Sequence, residues 1–202
     1  MSTDSSYESP SRDFHYVKSP SKDFFELFAL PRQFDVDLKS LKSRYRELQF
    51  QWHPDRFSAA TEAEKIQAVK MSSLLNDAYE ILSHEVKRAN YLLALEGVDL
   101  QKDRAIDSEI LMEQIRLRES FEEISLLQGE QQQLHAEQLL VQLRILFTNA
   151  AAEFSTASKF FFKQGHLNDR DADLQKLKQL LSKMMFLNKL SSDVELFVET
   201  FY

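Results

Sequence analysis

The 202-residue chain contains no cysteine. Disulfide bonds, zinc sites built on thiolates and iron-sulfur clusters ligated by cysteine are therefore excluded. Glycine occurs only three times, at Gly97, Gly129 and Gly165, and each stands alone. Because phosphate-binding loops of the GxxxxGK or GxGxxG kind need clustered glycines, we expect no nucleotide bound through either of them.

Long apolar runs and a basic charge balance are also missing. No run of about 18 apolar residues occurs, so we expect no membrane-spanning helix. The formal net charge is -7, whereas a protein that binds nucleic acid through its phosphates needs a broadly basic surface. The composition therefore favours protein partners over nucleic acid or membrane.

The first segment, residues 1–22, is rich in serine and contains Pro10 and Pro20. It has neither the apolar segment of a signal peptide nor the arginine-rich, acid-poor character of an organellar transit peptide. We interpret it as a disordered tail and expect a cytoplasmic protein.

From Asp23 onward the pattern predicts helices, because apolar residues recur at spacings of three and four and no alternating strand pattern is visible. Asp37 suits the N-cap of a helix, and Thr61 with Glu64 forms a capping box that starts another. A shorter helix is expected at Phe24–Leu30. The predicted apolar face of the Asp37-capped helix consists of Leu38, Leu41, Tyr45 and Leu48. The two longer helices would form an antiparallel hairpin.

The C-terminal half predicts a three-helix bundle over residues 107–202. Its three segments run from Asp107 to Gln128, from Glu130 to about Gln164, and from about Asn168 to Phe201. Single glycines at the two breaks are typical of short turns between helices. Residues 96–106 are predominantly polar and predict a linker to the preceding helices.

The stretch Gln51-Trp52-His53-Pro54-Asp55-Arg56-Phe57 interrupts the helical pattern. Pro54 lacks an amide proton and disfavours helical geometry at His53, so a loop is expected here. Three interpretations are open for His53 and Asp55: a helix-ending turn in which Asp55 caps local amides, a surface that a partner reads, or a catalytic or metal-binding pair. The remaining histidines share no ligand spacing with this pair, so we expect no metal site.

Three stretches carry a family resemblance. They are Asp23-Phe24-Phe25-Glu26-Leu27-Phe28 with Leu30-Pro31, His53-Pro54-Asp55-Arg56-Phe57, and Leu111-Met112-Glu113-Gln114 with Leu117-Arg118-Glu119. Residues 23–95 resemble a J-domain. Residues 23–202 resemble an HscB-type J-protein (type III), the dedicated co-chaperone of iron-sulfur cluster assembly in bacteria. The resemblance implies an all-α protein, a J-domain followed by a three-helix bundle, that needs no cofactor and is not itself an enzyme.

The resemblance also implies two partners in the bacterial cytoplasm: an HscA/DnaK-class ATPase chaperone and an IscU-type cluster scaffold. The chaperone would be bound by His53, Pro54, Asp55, Lys39, Lys42, Arg46 and Arg56. The scaffold would be held by Leu111, Met112, Ile115, Glu119, Glu123 and Phe186. The competing interpretations are a solvated helix face for the basic residues and bundle core for the apolar ones.

Two positions depart from the family pattern, and other functions stay open. Glu85 stands where a proline is common after the third helix, and Arg116 stands where an acidic residue is expected in the scaffold-binding face. The alternatives are a J-domain co-chaperone with another client, a small helical hydrolase using His53, Asp55 and nearby carboxylates, and a structural helical adaptor.

Overall fold

The computed structural model describes residues 23–98, 107–163 and 170–202, and its regular structure in these ranges is entirely helical. The helices are α1 (Phe24–Leu27), α2 (Leu38–Gln51), a 3-10 turn (Pro54–Phe57), α3 (Glu62–Ser83), α4 (Glu85–Leu95), α5 (Ser108–Leu126), α6 (Glu130–Lys163) and α7 (Arg170–Glu199). The all-α prediction is confirmed. The expected tail, residues 1–22, and most of the expected linker, residues 99–106, lie outside the described residues.

Helices α2 and α3 form the predicted hairpin, and local side-chain chemistry starts both. The Asp37 carboxylate accepts a hydrogen bond from the Lys39 amide at 3.0 Å, which caps α2. The Thr61 amide donates to Glu64 Oε2 at 2.8 Å, and the Glu64 amide donates to Thr61 Oγ1 at 3.4 Å, which completes the capping box of α3. The Tyr45 and Tyr79 rings stack between the helices with centroids 4.2 Å apart.

Two details of this half differ from expectation. Leu38 is 50% exposed rather than part of the core face, because side chains lean towards the helix N-terminus and Leu38 is the first residue of α2. Helix α1 ends at Leu27, before the predicted Leu30, because Ala29 adopts a left-handed conformation with φ 48°. Arg44 on α2 donates to the carbonyl oxygens of Phe28 and Ala29 and so holds this turn against the hairpin.

The C-terminal half is a bundle in which the long helices α6 and α7 pack along each other. Leu143 and Phe154 on α6 and Leu181 on α7 are fully buried. Helix α5 lies alongside α7, where the Phe121 ring meets the Phe197 ring edge to face at 5.6 Å. A Lys183–Glu113 ion pair at 2.6 Å joins the same two helices nearer the start of α5. The contact that lies later in α5 also lies later in α7, so the two helices run parallel.

The two halves share one hydrophobic core, and polar contacts close its edge. Helix α4 packs on α7, and the Phe34 ring meets the Phe154 ring on α6 at 4.8 Å. Beside this contact, Ser155 Oγ donates to Asp35 Oδ2 at 2.7 Å, and Lys159 forms an ion pair with Asp35. A second ion pair, Arg170–Glu96 at 2.6 Å, joins α7 to the end of α4. The J-domain half and the bundle are therefore packed as one body.

Candidate functional site

The first candidate surface is the turn that follows α2. His53 has an extended backbone (φ -63°, ψ 127°), as expected for a residue before proline, and Pro54 is the first residue of the 3-10 turn. The Arg56 amide donates to the His53 carbonyl at 3.0 Å. The Trp52 and Phe57 rings stack nearly parallel, with an interplanar angle of 8° and centroids 5.9 Å apart, and they bracket the turn from both ends. The turn is therefore a defined structure rather than a loose connection.

Within this turn His53 caps a local amide, not Asp55. His53 Nδ1 accepts a hydrogen bond from the Asp55 amide at 3.3 Å, which places the ring proton of the neutral imidazole on Nε2. Asp55 Oδ2 lies 3.6 Å from Nδ1, beyond hydrogen-bond range. No amide among the described residues donates to the Asp55 carboxylate, and the cap of this turn is the His53 side chain, so the interpretation in which Asp55 caps local amides is wrong.

The Asp55 carboxylate is 90% exposed, and it accepts no hydrogen bond from the residues that the structure describes. The His53 side chain is 54% exposed. Such exposure gives neither group the water-excluded surroundings in which acid-base pairs are efficient. A carboxylate presented to solvent on a rigid turn is instead available to donors on a partner.

The basic residues that the sequence grouped together lie on the outer face of α2. Lys39, Lys42 and Arg46 are exposed, and they are spaced so that they project from the side of the helix opposite the buried Leu41. No carboxylate in the described parts of the chain forms an ion pair with Lys42 or Arg46. Arg56 approaches the same face from the 3-10 turn, with its guanidinium carbon 4.5 Å from the centroid of the Phe50 ring.

The second candidate surface is the outer face of α5. Leu111, Met112 and Ile115 are 45%, 49% and 41% exposed, while Leu117, on the opposite side of the helix, is buried. These three apolar side chains are therefore not part of the bundle core. Glu119, in the next turn of α5, is exposed and extends the same face.

Acidic and aromatic side chains border this apolar face. Glu123 is exposed one turn beyond Glu119. Phe186, predicted to be available on α7, is half-buried and packs partly against the core. The Lys183–Glu113 ion pair draws this part of α7 towards α5. Arg116 is exposed within the face as a cation among carboxylates.

Several residues of these surfaces escaped the sequence analysis. Met185, beside Phe186, is 45% exposed, and Phe50, beside the basic residues, is 69% exposed. Away from these surfaces, Arg88 is buried in the J-domain half, where Nε donates to the Phe34 carbonyl at 2.6 Å and Nη1 donates to the Leu82 carbonyl at 2.6 Å. The predicted apolar face of α2 already leaves Phe50 outside it, whereas helical periodicity gives no signal for a buried arginine.

Burial and nearby charges shift the pKa values of Arg88 and Asp35. Burial lowers the pKa of the Arg88 guanidinium from its ordinary value, and the nearby carboxylates of Glu85 and Asp35 oppose that shift. For Asp35, partial burial acts to raise the pKa, but hydrogen bonds from Lys159 and Ser155 and the positive charges of Lys159 and Arg88 together outweigh it, so the pKa lies below its ordinary value. Asp35 is therefore held as the carboxylate that the ion pair needs.

In residues 23–98, 107–163 and 170–202 no three His, Asp or Glu side chains converge in a way that could hold a metal ion. Across the same ranges, no helix combines the length and the apolar character required to cross a bilayer.

Comparison with known proteins gives consistent matches over both halves. Residues 23–91 match the family model for the DnaJ domain. The co-chaperone protein HscB of Proteus mirabilis is 41% identical over 104 residues, which span 50% of this chain and 60% of that protein. An HscB homolog of Shewanella amazonensis is 34% identical over 174 residues, which span 85% of this chain and 94% of that protein.

Two solved structures share the arrangement of both halves. The chaperone HscB from Vibrio cholerae superposes with a TM-score of 0.74 at 28% identity, covering 90% of this chain and 100% of that one. The human co-chaperone protein HscB superposes with a TM-score of 0.74 at 26% identity, covering 96% of this chain and 91% of that one. The likeness therefore extends beyond the J-domain to the bundle.

Proposed function

Since this chain belongs to the HscB family of J-domain co-chaperones, we propose that it serves iron-sulfur cluster assembly by bringing a scaffold protein to an ATPase chaperone. In this proposal the turn at His53, Pro54 and Asp55 docks on an HscA/DnaK-class chaperone and stimulates its ATP hydrolysis. The outer face of α5 holds an IscU-type scaffold. The single observation that carries the proposal is the exposed Asp55 carboxylate, fixed on a rigid turn with no donor among the described residues.

The turn and the basic face of α2 act by binding the chaperone, and this chain performs no catalytic step of its own. Asp55 accepts hydrogen bonds or pairs with a cation on the chaperone, while His53 keeps the turn in shape by accepting from the Asp55 amide. Lys39, Lys42 and Arg46 give α2 a positive outer face, which attracts an acidic groove on the chaperone and raises the association rate. ATP is hydrolysed in the partner.

The outer face of α5, which holds the scaffold in this proposal, has the composition of a protein-binding surface. Leu111, Met112 and Ile115 provide an exposed apolar centre, and Glu119 and Glu123 provide a charged rim. Phe186 contributes its half-buried side chain from α7. These groups suit a partner with an apolar patch bordered by basic residues.

The contacts between the two halves fix the distance between the chaperone-binding turn and the scaffold-binding face of α5. The Phe34–Phe154 contact and the Asp35–Lys159 ion pair tie the J-domain half to α6, and α4 packs on α7. A scaffold bound on α5 is thereby held at a set position relative to the turn that engages the chaperone. We propose that this fixed geometry delivers the scaffold to the chaperone.

The experiment that tests this function measures the ATPase rate of an HscA-class chaperone with this protein, with an IscU-type scaffold, and with both. We expect stimulation by this protein alone and a larger stimulation when the scaffold is added. Asp55→Asn should abolish both effects. Stimulation that the scaffold leaves unchanged, with no binding of the scaffold in a titration, would instead assign the protein to another client.

A further inference from the structure

Phe50 is an unusual surface residue. It is 69% exposed, the largest fraction among the phenylalanines that the structure describes. An exposed large aromatic side chain costs solvation free energy unless it is buried in a complex, and aromatic residues are enriched at the centres of interfaces. Its place in the fold indicates which complex would bury it.

Phe50 lies on the basic face of α2, three residues before His53. The positions Lys39, Lys42, Arg46 and Phe50 are spaced by three, four and four residues, so they share one side of the helix. At about 100 degrees per residue, this side is opposite the buried Leu41. The ring therefore continues the surface that runs from the basic residues to the turn.

Arg56 reaches back over this ring from the 3-10 turn. Its guanidinium carbon lies 4.5 Å from the ring centroid, within the range of a cation-aromatic interaction. The contact joins the C-terminal end of α2 to the turn and orients the guanidinium towards the basic face. One face of the ring is covered by Arg56, and most of the remainder stays in solvent.

We propose that Phe50 and Arg56 form a mixed apolar and cationic anchor for the ATPase chaperone. The Phe50 ring is buried against an apolar spot on the chaperone, and the Arg56 guanidinium pairs with a carboxylate beside that spot. This inference rests on the proposed function, and it adds an apolar contact to a surface otherwise described by charge. A second copy of this chain is a poor occupant of a symmetric contact here, because it would bring the same cations together.

The anchor is tested by ATPase titrations of the chaperone with the full chain and with Phe50→Ala. The ring is outside the hydrophobic core, so the variant should keep the wild-type melting temperature and scaffold affinity. We expect the concentration for half-maximal stimulation to rise about 10- to 100-fold, the range that loss of a buried Phe side chain corresponds to. The maximal rate should stay near that of the wild type. Phe50→Leu, which keeps an apolar side chain, should recover much of the affinity.

Two controls separate this anchor from other effects. Phe160→Ala removes another exposed phenylalanine, 45% exposed on α6, and should leave the titration unchanged. Arg56→Ala should cost less affinity in the Phe50→Ala background than in the wild type, because residues in contact are coupled.

The outcomes also separate the anchor from the proposed function. Wild-type stimulation together with an unchanged Phe50→Ala titration would overturn the anchor and leave the proposed function intact. A wild-type chain that does not stimulate the chaperone would overturn the proposed function first. Self-association of the wild type that Phe50→Ala abolishes, with an unchanged ATPase titration, would assign the ring to a second copy and overturn the anchor.

Discussion

Arg88 donates from Nε to the backbone carbonyl of Phe34 at 2.6 Å, and its guanidinium carbon lies 5.1 Å from the centroid of the Phe34 ring. The two residues are 54 positions apart in the chain. Phe34 in turn meets Phe154 on α6. A buried arginine therefore fixes the segment through which the J-domain half touches the bundle.

Replacing Arg88 should destabilise the whole body. Arg88→Ala leaves the carbonyls of Phe34 and Leu82 without their donors in a buried site, which we expect to cost about 3 kcal/mol of unfolding free energy. Arg88→Lys should cost less than Arg88→Ala, because the ammonium group keeps the positive charge. It should still be less stable than the wild type, because one ammonium group cannot reproduce the guanidinium fork. Urea denaturation measures both, and an Arg88→Ala variant as stable as the wild type would contradict this role.

Stability should depend on pH through Asp35. Its pKa lies below the ordinary value of 3.8 in the folded protein, so its stabilising charge is present above that value and is lost as pH falls through the folded pKa. Asp35→Asn should cost about 0.5 kcal/mol at pH 7, as expected for a largely exposed ion pair. The cost should shrink below about pH 4.

The control for Asp35 is Asp77→Asn, which removes an exposed carboxylate on α3 that forms no ion pair in the described residues. Its effect on stability should be near zero at both pH values. Denaturation at pH 7 and pH 3 gives both differences. An Asp35→Asn cost that is equal at the two pH values would show that the charge of Asp35 does not stabilise the joint.

The basic face of α2 should make chaperone binding sensitive to salt. Replacing Lys39, Lys42 and Arg46 together by Ala should slow association about tenfold at low ionic strength and flatten its salt dependence. Lys189→Ala, on α7, serves as the control because Lys189 is exposed on the other half. Association rates measured from about 50 to 300 mM salt test this. A triple variant with the wild-type salt dependence would show that the basic residues form a solvated helix face that does not contribute to chaperone binding.

The apolar face of α5 offers a matched pair of isoleucines. Ile115 is 41% exposed on α5, and Ile145 is 57% exposed on α6. Either change to Ala should alter the unfolding free energy by less than about 0.5 kcal/mol, because both side chains are exposed. Calorimetric titration with an IscU-type scaffold should show weaker binding for Ile115→Ala alone. Equal affinities for the two variants would show that Ile115 is not part of the scaffold-binding surface.

Local chemistry in the sequence was sufficient to predict where most helices begin and end. Asp37 and the Thr61–Glu64 box cap their helices as predicted. Each of these signals lies within a few residues of the boundary it sets. The resemblance also placed Leu111 and Met112 on a binding surface rather than in the core, and both proved to be exposed.

Contacts between distant segments were beyond the reach of the sequence. The left-handed turn at Ala29 that ends α1 is held by Arg44, 15 residues further along the chain. The burial of Arg88 involves the Phe34 carbonyl, 54 positions away. Neither contact has a periodic signature, because each arises only when the helices pack.

The central claim is that one molecule must carry both surfaces, and a mixing experiment tests it most directly. Asp55→Asn keeps the α5 face, while the triple variant with Leu111, Met112 and Ile115 replaced by Ala keeps the turn. The measurement is the scaffold-dependent ATPase rate of the chaperone with wild type, with each variant alone, and with an equimolar mixture of the two variants. The account predicts full enhancement by the wild type and a mixture no better than the sum of its parts. A mixture that matches the wild type would contradict it, because the surfaces would then act as well on separate molecules.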